Sequence, residues 1–306
     1  RPNMTQKALE LPALHVGSGY RHQSLTWFPV WTDRPAQHRS YQTNVDLLEV
    51  GELEQEQVPT LRVRNRSEDA VVVFEGSVFE GGLQTRTLTK TTLIPAAAET
   101  DVPVVCVEAS RWGGNTRRHR VGTRMAPSRV RSAARGVTRG TPRSPMNARQ
   151  GAVWSEVDGY QARHNMSSPT RNLVDVDQHV EANQTRPMRV KALPGQTGVI
   201  IAAMGQPIAL ELFDHPDTLA ERLESILRGF LLDVTGIPYV ETPSRRARRF
   251  ARQVVETGLR ETTREERTRV LTSPDSPLVA TDAVGLDEDL LHLSALNPRH
   301  ELVLAA

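Results

Sequence analysis

Apolar residues in the first third of the chain come in short runs bounded by turn residues, the mark of β-strands. Leu25–Trp31 (LTWFPVW) reads as a buried strand interrupted by Pro29, followed by strands at Val45–Val50, Pro59–Asn65 and Ala70–Glu75. In Leu61-Arg62-Val63-Arg64 the alternation has a period of two, so that strand keeps one face in water. Gly76–Gly82 is a hairpin or bulge region in which Gly81-Gly82 supplies positive φ. Gln84–Ile94 then reads as one long strand with Gln84, Arg86, Leu88, Lys90 and Thr92 on one face. Val102–Glu108 is the next, with Val104, Cys106 and Glu108 pointing one way. These runs predict an antiparallel meander, one sheet of a sandwich.

Further along, Gln150–Tyr160 reads as a short helix. A second set of strands is predicted at Leu173–Val180, Pro187–Leu193, Gly198–Met204 and Pro207–Phe213, the last two joined by a tight Gly205-Gln206 hairpin. VVVFEG before SVFEGG loosely echoes VIIAAM before GQPIALEL, which suggests a duplicated β unit. The spacing then changes to three and four. Leu219, Leu223, Ile226, Leu227, Phe230 and Leu231 form the stripe of a helix expected to be capped by Asp214. Ser244–Leu259 is a second helix, and its first turns carry Arg245, Arg246, Arg248, Arg249 and Arg252, a charge the helix dipole disfavours unless an anion is near. The tail from Thr272 is mixed, with a turn at Leu286–Leu293 and a final ELVLAA able to dock as a strand. The predicted fold is α+β and β-dominated: antiparallel sheets, sandwich-like, with a packed helix and a C-terminal helical extension. The boundaries are a leader at 1–24, a β-rich domain at 25–235 and an arginine-rich helical extension and tail at 236–306.

Charge changes this picture in one place. Ala109–Trp154 holds eleven arginines and no Asp or Glu, which predicts a long, partly flexible basic excursion at 113–150. Only Lys7, Lys90 and Lys191 are lysines, and arginine suits bidentate phosphate or carboxylate contacts. A non-catalytic nucleic-acid or protein interaction module using this run is therefore an alternative reading, with nucleic acid bound through 111–149; the lack of interleaved aromatics for base stacking weighs against the nucleic-acid form. No run of 18 apolar residues predicts a membrane span, and the cytoplasm is the default compartment. A single cysteine excludes an intrachain disulfide. The nine histidines are scattered, without a metal-binding spacing, so no metal is implied, and the sequence names no cofactor either way. Asp175, Asp177 and His179 would alternate on one strand face, a solvated pattern more often than a cation site.

Candidate chemistry concentrates in Phe74–Trp112. Glu75, Glu80, Gln84, Arg86, Cys106, Glu108, Arg111 and Trp112 lie there among strand formers, and buried polar groups must be hydrogen-bonded or face a ligand. Glu108 and Glu80 are the candidate acid–base groups. Gln84, Arg86, Arg111, Trp112 and Glu75 are the candidate ligand-binding groups, with arginine forks suited to phosphate or ribose. The competing reading is a buried Glu–Arg network that fixes the strands. Cys106, mid-strand between valines, reads as a small core residue rather than a nucleophile.

GGLQTRTL, CVEASRW, QGAVW and the LELFDHPDTLAERLESILRGFLLDV helix resemble a bacterial family defined by gene neighbourhood, the ADP-ribosylglycohydrolase- and rhodanese/phosphatase-associated domain. The resemblance rests on Gly81, Gly82, Gln84, Arg86, Cys106, Glu108, Arg111 and Trp112 in the family's order, and runs from about Trp27 to Thr235. It implies association with systems that handle ADP-ribose or nucleotide-linked modifications, phage conflict among them, and a ligand such as ADP-ribose or another nucleotide. The arginine-rich excursion and the segment beyond Gly236 depart from it.

Overall fold

The structure is a computed structural model that describes residues 9–54, 59–111, 113, 116–138, 142–184 and 187–304. Trp112 and the first eight residues of the predicted leader lie outside the described residues. The described chain runs β1 (Leu14–Val16), β2 (Tyr20–His22), β3 (Leu25–Thr32), β4 (Leu48–Gly51), β5 (Thr60–Asn65), β6 (Val71–Val73), β7 (Ser77–Gly81), β8 (Arg86–Leu88), β9 (Thr92–Ile94), β10 (Glu99–Cys106) and β11 (Arg118–Met125). Three helices follow: α1 (Ser128–Arg135), α2 (Met146–Arg163) and α3 (Leu173–Ala182). Next come β12 (Gly198–Ala203), β13 (Gln206–Phe213), α4 (Pro216–Val234) and α5 (Ser244–Thr257). The chain closes with β14 (Arg260–Glu265), β15 (Thr268–Thr272), β16 (Ala280–Leu286) and β17 (Asp289–Leu296).

Strand alternation sorts these elements into two bodies. β10, β5, β4, β11, β7 and β8 close a barrel in that order, and Leu61, Val63, Phe79, Leu88, Val102 and Val104 fill it. β5 shows the predicted alternation, with Arg62 and Arg64 outside, bonded to Asp101 and Glu99 on β10. The second body is an antiparallel sheet ordered β1-β3-β12-β13-β17-β16-β15-β14, with β2 also on β3. Its central strands are buried on both faces, which is why β12 reads as a continuous apolar run. Val199, Ile201 and Ala203 meet the apolar stripe of α4, while Ile200 and Ala202 meet Ala247, Phe250 and Val254 of α5. β6 and β9 form a small ribbon. The two sequences that echo each other take different partners: β12 and β13 are a hairpin, whereas β6 pairs with β9 and β7 with β8 and β11.

Several elements differ from expectation. Leu173–Val180 is not a strand but most of α3: the Asn172 side chain caps Val174 N–H, and Leu173, Val176 and Val180 make a helical stripe. Pro187–Leu193 forms no strand. Gln84–Ile94 is split into β8 and β9, and Thr89–Thr91 between them belong to neither. The arginine-rich excursion is largely ordered structure. β11 closes the barrel, α1 follows, and α2 contains the predicted 150–160 helix. The α4 cap is His215, whose Nδ1 accepts from Asp217 N–H at 3.2 Å, while Asp214 accepts from the Tyr41 hydroxyl at 2.6 Å. After α5, as predicted at Ser244, the segment is β rather than helical: β14–β17 extend the large sheet, and β17 enters its middle beside β13. The described part of ELVLAA, Glu301–Leu304, is turn and bend rather than strand, with Leu302 and Val303 buried.

Candidate functional site

The GGLQTR and CVE segments come together, as their pairing β8–β10 requires. Glu108 accepts Thr85 N–H at 2.8 Å and a two-pronged contact from Arg111, Nε and Nη2 each at 2.8 Å. Arg111 also donates to Gly82 O at 2.9 Å and Gly81 O at 3.2 Å, clamping the double-glycine turn. Burial pushes the Glu108 carboxyl up, yet the Arg111 and Thr170 hydrogen bonds and Thr85 N–H together hold it below its ordinary range. Gln84 donates to Glu108 O at 3.0 Å and its Oε1 accepts the Cys106 thiol at 3.0 Å. Burial raises that thiol to about 11, so Cys106 is a core residue. Arg86 is fully buried and donates to Glu52 Oε2 at 3.0 Å; Glu52 Oε1 accepts from Leu83 N–H at 3.2 Å and meets His119 Nε2 at 2.9 Å.

The other predicted site residues go elsewhere. Glu80 pairs with Arg124 at 3.3 Å in the wall of a cavity of about 160 Å³ that Asp177 and Glu181 share. Asp175 accepts from the Ser168 hydroxyl on another side of α3. No group of three His, Cys, Asp or Glu among the described residues stands close enough to hold a metal ion.

Glu75 leads to a different centre. It lies between β6 and β7, where α1 presents two arginines one turn apart toward the core. Arg131 meets Glu75 Oε2 at 3.0 Å (Nε) and 2.5 Å (Nη2), and Arg135 Nη2 reaches the same oxygen at 2.5 Å. Arg131 Nη2 also donates to Glu211 Oε1 at 2.7 Å, and both arginines donate to the Ser294 hydroxyl. Burial opposes ionisation of Glu211, but Arg131, His292 and Arg135 outweigh it and hold the carboxyl at about 2. Glu211 Oε2 stands 3.0 Å from His292 Nε2, and His292 Nδ1 stands 2.8 Å from Thr91 Oγ1, which also accepts Glu75 N–H at 2.9 Å.

Thr91, His292, Ser294, Glu75 and Arg135 open onto a cavity of about 290 Å³ between barrel, α1 and the large sheet. Lys90, Arg143, Arg149 and Asp282 complete its charged lining, so four cationic side chains face two carboxylates. Arg143 bonds Asp282 at 2.8 Å, whereas Lys90 and Arg149 have no carboxylate partner among the described residues. Burial, then repulsion by Arg143, depresses the Arg149 guanidinium against the attraction of Asp282.

Of this centre, sequence reasoning found Glu75 alone. Arg131, Arg135, Arg143 and Arg149 were visible only as part of a basic run. Thr91 looked like one threonine among several, and nothing local marked Glu211, His292 or Ser294. Comparison with family models matches residues 13–296 to the ARG and Rhodanese-Phosphatase-superfamily-associated Protein domain, which supports an association with ADP-ribose-related systems. Comparisons with curated proteins and with solved structures gave no match. No helix among the described residues is long and apolar enough to cross a membrane.

Proposed function

Since the chain belongs to the ARG and Rhodanese-Phosphatase-superfamily-associated Protein family, we propose that it binds a phosphate-bearing, nucleotide-type ligand in the cavity between barrel and sheet. The observation that carries this reading is the excess of cationic groups there, four against two carboxylates, with Lys90 and Arg149 in no salt bridge among the described residues. A cation inside a concave, partly apolar site is stabilised by a bound anion, and arginine forks match phosphate oxygens. The volume sits at the lower end of ligand pockets, roughly 300–1,000 Å³, so the site accommodates a phosphoribosyl-sized group rather than a whole dinucleotide. On this reading Gln84, Arg86, Glu108 and Arg111 brace the strand ends beside the barrel, while Glu75 orients Arg135 in the cavity wall and Arg131 behind it.

Titration of the protein with ADP-ribose, ADP and ribose 5-phosphate by calorimetry tests this. Each charge-assisted contact is worth about 1.5–3 kcal/mol, so Arg149→Gln or Lys90→Gln should weaken binding about ten- to hundredfold. Saturable binding indifferent to both substitutions, or reduced by Arg111→Gln instead, would place the ligand elsewhere.

A second reading is favoured by one observation. Arg245, Arg248 and Arg252 are exposed along α5 and border an open groove of about 520 Å³ beside β1. Such a row suits a nucleic-acid backbone better than the 111–149 run, where Arg111, Arg124, Arg131, Arg135 and Arg143 are all held by carboxylates. Oligonucleotide binding that weakens steeply with salt and disappears on replacing these three arginines by alanine would support it.

A further inference from the structure

Thr91, His292 and Glu211 form a chain of hydrogen bonds that the binding reading does not use. Their placement follows from the fold. Glu211 on β13 and His292 on β17 are diagonal neighbours, because Glu211 registers with Ser294 and Phe213 with His292. The His292 ring stacks on Phe213 at 4.8 Å between centroids, which fixes its plane. Thr91 reaches it from the interruption between β8 and β9, where the backbone is released from either strand.

Proton positions in this chain are constrained. An ionised carboxylate only accepts, so His292 Nε2 must carry the proton it shares with Glu211. In the neutral ring Nδ1 is then the acceptor. Thr91 Oγ1 already accepts Glu75 N–H, and its own hydrogen is directed at Nδ1. A hydroxyl donating to an imidazole whose other nitrogen is oriented by a carboxylate is the arrangement that activates an oxygen nucleophile. It opens onto the cationic cavity.

Resting on the reading of that cavity as a phosphate site, we propose that Thr91 is a nucleophile for phosphoryl transfer, with His292 as its base and Glu211 as a positioning residue. Thr91 Oγ1 attacks the phosphorus of a bound phosphate ester or anhydride. The Oγ1–P bond forms, and the P–O bond to the leaving group breaks. The threonine proton passes to His292 Nδ1 and from there to the departing oxygen. Water then attacks the phosphothreonine, returns a proton through Nδ1 to Oγ1, and releases inorganic phosphate. Lys90, Arg135, Arg143 and Arg149 stand where charge gathers on the non-bridging oxygens. Substrates of this class are small phosphorylated compounds.

The test uses acetyl phosphate, a compact anionic phosphoryl donor, with ADP-ribose binding measured alongside. The wild-type chain and Thr91→Ser should carry a phosphoryl group on the residue-91 peptide, or release phosphate above the buffer rate. Thr91→Val and His292→Gln should lose either signal by about a hundredfold or more while both variants still unfold cooperatively in urea, and Thr91→Ser should keep it. Glu211→Gln should lower the maximal rate without changing the half-saturating concentration. A wild-type protein in which acetyl phosphate competes with ADP-ribose, yet residue 91 is never modified and no phosphate is released, overturns the proposal and leaves the binding reading intact. Turnover unchanged in Thr91→Val does the same. Absence of any competition or ADP-ribose binding sinks the cavity reading and the nucleophile with it.

Discussion

Replacing Arg131 by methionine removes the cation that joins Glu75 to Glu211 while keeping an unbranched, flexible stem. Both carboxylates are buried, and breaking a buried pair by deleting one partner costs about 3–5 kcal/mol. Glu75 keeps Arg135, so the main loss falls on Glu211, which retains His292 and Ser294. The electrostatic balance at Glu211 points the same way. Lowering of the Glu211 carboxyl from 4.5 to about 2 corresponds to a contribution of about 3 kcal/mol, of which Arg131 is the largest favourable source. Urea denaturation at pH 7 should therefore show Arg131→Met less stable by about 3 kcal/mol. The sign with pH is distinctive. For a depressed carboxylate the stabilisation is present above pH 4.5 and is lost as the pH falls toward 2. The variant has little of it to lose, so the two stabilities should converge across that window. Arg131→Met combined with Glu211→Gln should recover part of the deficit at pH 7. A deficit under about 1 kcal/mol, or one that stays constant from pH 7 to pH 3, would refute the account of Arg131 as the cation that keeps Glu211 ionised.

Two further expectations concern the braced strand ends. Cys106, fully buried with its thiol raised to about 11, should react with iodoacetamide at pH 8 at least about a hundredfold more slowly than in the urea-unfolded chain; equal rates would contradict its burial. Gly82 has φ +57°, and a Cβ there would come within 2.0 Å of His119 Nε2, so Gly82→Ala should lower the unfolding free energy by about 2–4 kcal/mol through backbone strain and loss of the His119–Glu52 contact; a change below 1 kcal/mol would show that the turn relaxes freely.

What the sequence revealed follows the range over which each signal acts. Period-two alternation at Leu61–Arg64 and the three-and-four spacing of Leu219–Leu231 are local and survived into β5 and α4. Leu173–Val180 misled because Asp175, Asp177 and His179 also satisfy a strand, and only the Asn172 cap and the Leu173, Val176, Val180 stripe break the tie. The arginine run concealed order for a different reason: its compensating charges lie far away in sequence, Glu75 before it and Asp177, Glu211 and Asp282 after it. Seen alone, Arg131 and Arg135 are two charges on a short helix. The polar density of Phe74–Trp112 did mark a buried network, and at Glu75 it touched the cavity, but Thr91 became distinctive only when β17 brought His292 against it.

The cost of this centre bears on its purpose. Two fully buried arginines, two buried glutamates and a histidine in one contiguous network are an expensive way to join a helix to two sheets, because desolvation cancels much of what ion pairing returns. Apolar residues of similar volume would hold α1 against β13 and β17 at least as well, as they do across α4. The Glu108–Arg111 pair is easier to account for structurally. It stands at a partly exposed edge and its bonds go to the backbone of the double-glycine turn. The Arg131 network instead points its carboxylate and imidazole at a hydroxyl on a cavity wall, and that cavity carries two cations in no salt bridge among the described residues. A network kept for strength alone has no reason to end there. One kept to hold Glu211 ionised, His292 in a single tautomer and Thr91 aimed at an anion does.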